Sequence, residues 1–214
     1  MTHLSKASFR KGQYLLLETR KEYKFIISNS ELENFKLINN LKLVTLHKPR
    51  YINSLYFDSW GLDIYKMSDD LDVDKFKYRF RKAIDGKIYS EVKINTANGK
   101  FKEKTVTEYQ NFEQIESVSY NKMTLYPSLY VSYEREYFNL FDSVRVTVDK
   151  NITYKSTECR SLVYVKKLSD KIVLEYKYLD DKKLDIENYF FKNPTTFSKY
   201  IDGINKVYKE NFNL

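Results

Sequence analysis

Charged and apolar residues alternate along most of the stretches that favour β-strand. In the stretch KFKYRFRKAIDG, an extended backbone would place Lys77, Arg79 and Arg81 on one face and Tyr78 and Phe80 on the other. A sheet with one solvated face would leave these cations in water, whereas a closed barrel would direct them at something anionic. The pattern of this one strand leaves both interpretations open.

The same alternation recurs elsewhere, often with a carboxylate and a cation two positions apart on one face. The spellings EYK, EVK and again EYK occur at three separate places. For any one strand the ordinary explanation is the wet side of an antiparallel sheet, but repetition at three places weakens it. The charged faces of the other strands carry Glu18, Arg20, Glu22 and Lys24; Glu91 and Lys93; Lys102 and Lys104; Arg135; Arg145 and Asp149; and Glu175 and Lys177.

Strand signals dominate the rest of the chain. The turn dipeptides Asp85-Gly86 and Asn98-Gly99 each lie between β-favouring runs and predict an antiparallel meander. Long strands are also favoured by the many Tyr and Phe residues and the scarcity of Gly and Pro. About nine strands are predicted, in chain order at 14–28, 51–59, 75–84, 87–96, 100–108, 128–138, 143–149, 161–168 and 171–179.

Helix signals are few and short. Ser30 and Glu33 have capping-box spacing and predict a helix over 30–40. A second short helix is predicted over 111–120. The dipeptide Asn-Pro at 193–194 has the N-cap and N1 residue types that begin a C-terminal amphipathic helix. The sequence therefore predicts a large sheet with few helices.

Composition indicates one globular domain over residues 1–214, with a polar, basic and flexible lead-in at 1–12. The chain has 214 residues, of which 42% are apolar and 16% aromatic, which is enough to bury a sizeable core. Cys159 is the single cysteine and no signal-peptide pattern opens the chain, so a reducing, cytoplasmic location is expected. No apolar run approaches the roughly 20 residues that span a bilayer.

The net charge favours an acidic partner. The chain has 37 Lys and Arg against 29 Asp and Glu, a net charge of +8. Nucleic acid, anionic lipid and phosphorylated small molecules all satisfy this excess, so charge alone does not choose among them. KFKYRFR lacks the glycines of the RRM strand motif, and nucleic acid is not expected as a partner.

An ordered series of motifs resembles a known family. The series RKEYKF, SLYFDS, KYRFR, SEVKI, YEREYF, VRVTVD, VLEYKY and FSKYIDGI covers nearly the whole chain. It resembles the VTC domain, the polyphosphate polymerase catalytic domain of the triphosphate tunnel metalloenzyme superfamily. The resemblance implies an α+β fold: a closed antiparallel barrel of about eight strands with a few covering helices and a C-terminal helix. Its lumen would be a tunnel lined by cations.

The resemblance also implies the roles of individual residues. Arg79, Arg81, Lys93 and Glu175 would be catalytic. A divalent metal, Mn²⁺ or Mg²⁺, would be held by Glu175, with Glu22, Glu91 and Asp149 as further carboxylate candidates; oxygen ligands of this kind suit both ions. The implied phosphate ligands are Arg20, Lys24, Lys77, Arg79, Arg81, Lys93, Lys102, Lys104, Arg135, Arg145, Lys177 and Lys199.

The implied activity is metal-dependent polyphosphate synthesis. The terminal phosphoryl group of a nucleoside triphosphate, with ATP the expected donor, would pass to a growing polyphosphate chain. Positioning and charge neutralisation supply most of the catalysis in such transfers. An inorganic triphosphatase or nucleotide phosphohydrolase on the same fold is one alternative, and a non-catalytic polyanion-binding module is another.

One departure from the wider superfamily bears on this choice. Triphosphatases of the fold usually open with an E-x-E-x-K pattern, whereas this chain has Arg20 where the first glutamate would stand, before Glu22 and Lys24. Glu18 could partly compensate. In lacking this carboxylate the chain resembles the polymerase branch of the superfamily, which counts against simple triphosphate hydrolysis.

Overall fold

A computed structural model describes residues 20–40, 42–69, 75–96, 99–179 and 193–209. The predicted lead-in at 1–12 lies outside the described residues. So do residues 14–19 of the first predicted strand, which include Glu18. The strands are β1 (Arg20–Ile27), β2 (Leu43–Asp58), β3 (Lys75–Lys82), β4 (Ile88–Thr96), β5 (Gly99–Val106), β6 (Val118–Tyr120), β7 (Met123–Leu140), β8 (Val144–Lys155), β9 (Lys166–Leu168) and β10 (Ile172–Leu179). The helices are α1 (Asn29–Ile38), α2 (Asp63–Lys66) and α3 (Lys199–Ile204), with short 3₁₀ turns at Met67–Asp69 and Phe112–Gln114 and a π-helical turn at Asn205–Lys209.

The fold is α+β, with one large antiparallel sheet and few helices, as predicted. The strand order is β1-β10-β8-β7-β2-β3-β4-β5, with β6 paired to β7 and β9 paired to β8. Within the described ranges β1 pairs only with β10 and β5 only with β4, so hydrogen bonds do not close the sheet. The closed barrel that the resemblance implies is therefore not confirmed by the described strands.

The sheet is nevertheless curled so that its two ends face each other. Lys93 Nζ, on β4, lies 3.6 Å from Glu22 Oε1, on β1, although five strands lie between β1 and β4 in the order. Charged side chains therefore meet where a closed barrel would have backbone hydrogen bonds. We call the surface that carries Glu22, Lys93 and their same-face neighbours on the other strands the inner face.

The opposite, outer face of the sheet is apolar and covered. Phe80 of β3 is buried and its ring packs edge-on against Phe57 of β2 at 5.2 Å. Phe35 of α1 packs edge-on against Tyr176 of β10 at 6.1 Å, so α1 covers the β1–β10 end. The alternation in KFKYRFR thus separates a packed outer face from a charged inner one.

The first helix has a different cap from the predicted one. Ser28, not Ser30, is the N-cap: its Oγ accepts from the Glu31 backbone N–H at 3.2 Å. The Glu31 carboxylate accepts in turn from the Ser28 backbone N–H at 2.7 Å, which completes a capping box. The two possible boxes have the same spacing, and the helix begins at the earlier one.

Three other predicted elements are wrong in type or length. The helix predicted over 111–120 is one 3₁₀ turn, followed by strand β6, which forms a hairpin with β7. The strand predicted over 161–168 is reduced to β9, because Ser161 and Ser156 side chains bond to the backbone of the preceding loop. Strand β2 begins eight residues before the predicted start at Tyr51.

The C-terminal helix begins at Lys199, not at 193–194. Ser198 is its N-cap, and the residues before it run extended along β1, where the Thr195 backbone N–H donates to the Lys24 carbonyl at 2.8 Å. Gly203 lets α3 approach the sheet closely, because a Cβ there would lie 2.4 Å from Leu129 Cδ2. None of the described helices is long and apolar enough to cross a membrane.

Candidate active site

Three ion-pair groups occupy the inner face, and the first surrounds Glu91. This carboxylate is 4% exposed. Arg79 Nε and Nη2 donate to its Oε2 at 2.9 and 2.6 Å, and Lys102 Nζ donates to its Oε1 at 2.9 Å. Arg81 Nη1 lies 3.8 Å from the same Oε2. Burial acts to raise the pKa of Glu91, but Arg79, Arg81 and Lys102 outweigh it and lower this pKa to about 2.

The second group joins Glu22 of β1 to Glu175 of β10. Lys177 Nζ bridges them, 2.7 Å from Glu175 Oε1 and 3.6 Å from Glu22 Oε2. Lys24 and Lys93 approach Glu22 Oε1 at 3.1 and 3.6 Å. Burial acts to raise the pKa of both acids, but the cations prevail: that of Glu22 is lowered, and that of Glu175 falls to about 2, with Lys177 the strongest lowering cause. Both are therefore ionised at neutral pH.

The third group is centred on Asp149, which is fully buried. Arg135 holds it with two hydrogen bonds, from Nε to Oδ1 at 2.5 Å and from Nη2 to Oδ2 at 2.7 Å. Lys199, the first residue of α3, donates to Oδ2 at 2.5 Å. Burial acts to raise the pKa of Asp149, but Lys199 and Arg135 lower it overall. This group ties the C-terminal helix to the sheet.

The four predicted metal carboxylates are divided among these groups. Glu22 and Glu175 share one lysine, whereas Glu91 and Asp149 each belong to a different cluster. Among the residues that the structure describes, no three His, Cys, Asp or Glu side chains lie together as a ready metal site. Mg²⁺ and Mn²⁺ are nevertheless commonly held by one or two carboxylates plus substrate phosphates. The Glu22–Glu175 pair fits that donor set.

Two tyrosines of the inner face were missed by sequence reasoning. Arg79 Nη1 donates to Tyr56 Oη at 2.9 Å, and Arg81 Nη2 donates to Tyr133 Oη at 3.2 Å. Tyr56 lies directly opposite Arg79 in the β2–β3 register. The alternation of faces along the strand places Tyr133 on the same face as Arg135. That Tyr56 also lies on this face is shown only by the pairing of β2 with β3.

Lys77 and Tyr56 have unusual proton affinities. Lys77 Nζ donates to Ser198 Oγ at 2.9 Å, and burial among Lys24, Lys93 and Lys75 lowers its pKa to about 8 against the opposing effect of Tyr56. Burial acts to raise the pKa of Tyr56, but Arg79, Arg81 and Lys199 lower it to about 8. Both groups change charge at mildly alkaline pH.

Two other predicted phosphate ligands lie at the margin of this site. Lys104 and Arg145 are exposed and lie over aromatic rings, Lys104 Nζ 3.8 Å from the Tyr89 centroid and Arg145 Cζ 5.6 Å from that of Tyr137. Arg20 begins β1, but its side chain lies outside the described part of the chain. The role of each predicted site residue in catalysis stays a prediction.

Comparison with known proteins places this geometry in context. A family model described as the VTC domain matches residues 19–115 and 102–208. Among solved structures, PH1819 from Pyrococcus horikoshii OT3 has a TM-score of 0.53 at 13% identity, over 87% of this chain and 99% of that one. HpAC1 from Hippeastrum, described as having a dominant triphosphatase activity, has a TM-score of 0.48 at 10% identity, over 87% and 96%. No curated protein sequence matches the chain.

Proposed function

Because the chain belongs to the VTC domain family, we propose that it is a metal-dependent polyphosphate polymerase whose inner face works as a tunnel for polyphosphate. The observation that carries this proposal is the composition of the inner face. In the three ion-pair groups and beside them, nine cations surround four carboxylates, an excess of five positive charges. An excess of that size on the inner face of a curled sheet favours binding of a polyanion that offsets it.

The residues present support a division of labour. Arg79, Arg81 and Lys199 would bind phosphate oxygens by charge-assisted hydrogen bonds, and their existing partners hold them in position before substrate arrives. Glu22 and Glu175 would hold a Mn²⁺ or Mg²⁺ ion. That ion, when bound, would neutralise charge on the phosphate oxygens during transfer.

Phosphoryl transfer then requires little further chemistry from the protein. A terminal oxygen of the polyphosphate chain forms a bond to the γ-phosphorus of ATP. The bond from that phosphorus to the β–γ bridging oxygen breaks, and ADP leaves with the electron pair. Aligned cations suffice to hold donor and acceptor in line, so the transfer requires no serine or cysteine nucleophile. The cation Arg20, where triphosphatases usually have glutamate, supports transfer over hydrolysis.

The products formed from ATP test this proposal. The protein is incubated with ATP and Mn²⁺, and the products are separated on a gel that resolves polyphosphate by length. Long chains with release of ADP are expected. Orthophosphate in equal amount to ADP would show that the protein is a triphosphatase and not a polymerase. Unchanged ATP would show that it is a polyanion-binding module.

The affinity for tripolyphosphate should fall as the pH rises through about 8. Below that value Lys77 is protonated and Tyr56 neutral; above it the site loses a cation and gains an anion, and both changes oppose binding of a polyanion. Calorimetric titration at a series of pH values measures the effect. The Lys77→Arg variant, which stays protonated, should have a shallower profile, and identical slopes in both proteins would contradict the assignment.

A further inference from the structure

An exposed apolar loop lies beside the π-helical turn that follows α3, and none of its residues belongs to the three ion-pair groups. The loop lies between β8 and β9, and its tip carries Leu162, Val163 and Tyr164. Leu162 is fully exposed, and Val163 and Tyr164 are 61% and 67% exposed. Leu168, on the adjoining strand β9, is 69% exposed. Apolar side chains gathered in this way commonly mark a surface that binds a partner or a membrane.

The loop is held firmly at its base. The Ser156 backbone N–H donates to the Val165 carbonyl at 2.8 Å, and the Val165 N–H donates to Ser156 Oγ at 2.9 Å. Arg160 Nε and Nη1 donate to Ser128 Oγ and to the Trp60 carbonyl, both at 2.9 Å. These bonds fix the tip outward, so the apolar residues are not free to fold back onto the protein.

The same bonds bring a further apolar residue next to the loop. Trp60 is 68% exposed, and its carbonyl is bound by Arg160 of the loop. Its ring packs edge-on against Tyr126 at 5.7 Å. Trp and Tyr rings beside aliphatic side chains are typical of surfaces that sit at the headgroup level of a bilayer.

The charges around the loop indicate which kind of surface it binds. Lys155 and Lys166 lie directly opposite each other in the β8–β9 register, and Lys167 follows. Between residues 155 and 168 there are four cations and one acid, Glu158. Pairing of two copies through β9 would bring these lysines together, which like-charge repulsion opposes. An anionic surface instead satisfies both the lysines and the apolar tip.

We propose that this surface, formed by Trp60, Leu162, Val163, Tyr164 and Leu168 with Lys155 and Lys166, docks the protein on an anionic lipid bilayer. The aliphatic tip enters the headgroup region, and the lysines stay at the level of the lipid phosphates. Tyr208, in the turn after α3, accepts a hydrogen bond from the Thr157 backbone N–H at 3.1 Å, so the loop adjoins the helical end of the sheet.

Co-sedimentation with vesicles tests the proposal. The protein should bind vesicles of equal parts phosphatidylglycerol and phosphatidylcholine, should not bind pure phosphatidylcholine, and should be released by salt. Replacing Lys155 and Lys166 with Gln should weaken binding about fivefold per lysine. Leu162→Ser with Tyr164→Ser should weaken it at least as much, because the tip then has little apolar area to insert.

A control variant removes two exposed apolar side chains elsewhere on the molecule. Leu37→Ser with Ile38→Ser changes residues that are 70% and 56% exposed at the end of α1, and should leave vesicle binding unchanged. Absence of binding to the anionic vesicles at low salt, or equal binding by the loop and control variants, would overturn the proposal. So would a dimer in sedimentation velocity that the Leu162 variant dissociates, since the loop would then be an interface between copies.

Discussion

Replacing Arg79 and Arg81 together with alanine should weaken tripolyphosphate binding by about 10²- to 10⁴-fold. The estimate follows from the loss of two charge-assisted interactions at about 1.5 to 3 kcal/mol each. The two guanidinium groups lie on the inner face and are already oriented by Glu91, Tyr56 and Tyr133. Isothermal titration calorimetry measures the change directly.

The same double variant should also be less stable without ligand. A sequence-based argument expects the opposite, because removing two of several crowded cations relieves repulsion. The structure changes that expectation, since Glu91 is buried and, among the described residues, would keep Lys102 as its one cationic partner. Breaking a buried ion pair from one side typically costs about 3 to 5 kcal/mol. Adding Glu91→Gln to the double variant should recover much of this stability but none of the binding.

Surface cations of the same hairpin provide the matched control. Lys82 and Lys87 are both exposed, and replacing them with alanine removes the same total charge from the same part of the chain. This control should bind tripolyphosphate nearly as tightly as the wild type, apart from a small, salt-sensitive loss. If it weakens binding as much as the Arg79 and Arg81 changes, the inner face is not the binding site.

Glu175→Gln should reduce Mn²⁺-dependent turnover by about 10²- to 10⁴-fold, because a neutral amide cannot supply the same charge to a hard cation. Metal-free binding of tripolyphosphate should persist or tighten, since an anion has left the inner face. Turnover and affinity, measured on the same preparation, separate the metal role from phosphate binding.

The control for this variant is Glu103→Gln, an exposed acid on β5 that belongs to none of the three ion-pair groups. It should retain wild-type turnover. Full Mn²⁺-dependent activity in the Glu175 variant would remove this residue from the proposed metal site, and so would a loss of tripolyphosphate binding as large as the loss of turnover.

The period-two pattern predicts much of this molecule because each strand separates its faces by itself. Arg79 and Phe80 are assigned to opposite faces by their positions alone, and the structure places Arg79 beside Glu91 and Phe80 in the outer core. The C-terminal helix is misplaced at its start because Asn-Pro at 193–194 is a good local cap, while contacts with β1 keep that segment extended. Tertiary pairing overrides the local signal there.

The grouping of charges is the part that strand patterns cannot give. Glu22, Glu91 and Glu175 look equivalent in EYK, EVK and EYK, yet they have different surroundings. Glu91 is enclosed by Arg79, Arg81 and Lys102, whereas Glu22 and Glu175 meet through Lys177. That difference depends on which strands are neighbours and on how far the sheet curls, and neither is encoded within a single strand.

A crystal structure of the protein with tripolyphosphate and Mn²⁺, recorded with anomalous scattering from manganese, tests the central claim most directly. Phosphate groups should lie on the inner face in contact with Arg79 and Arg81, and an anomalous peak should lie beside Glu22 and Glu175. Tripolyphosphate bound on the outside of the sheet, with an unchanged inner face and no manganese beside those two glutamates, would contradict it.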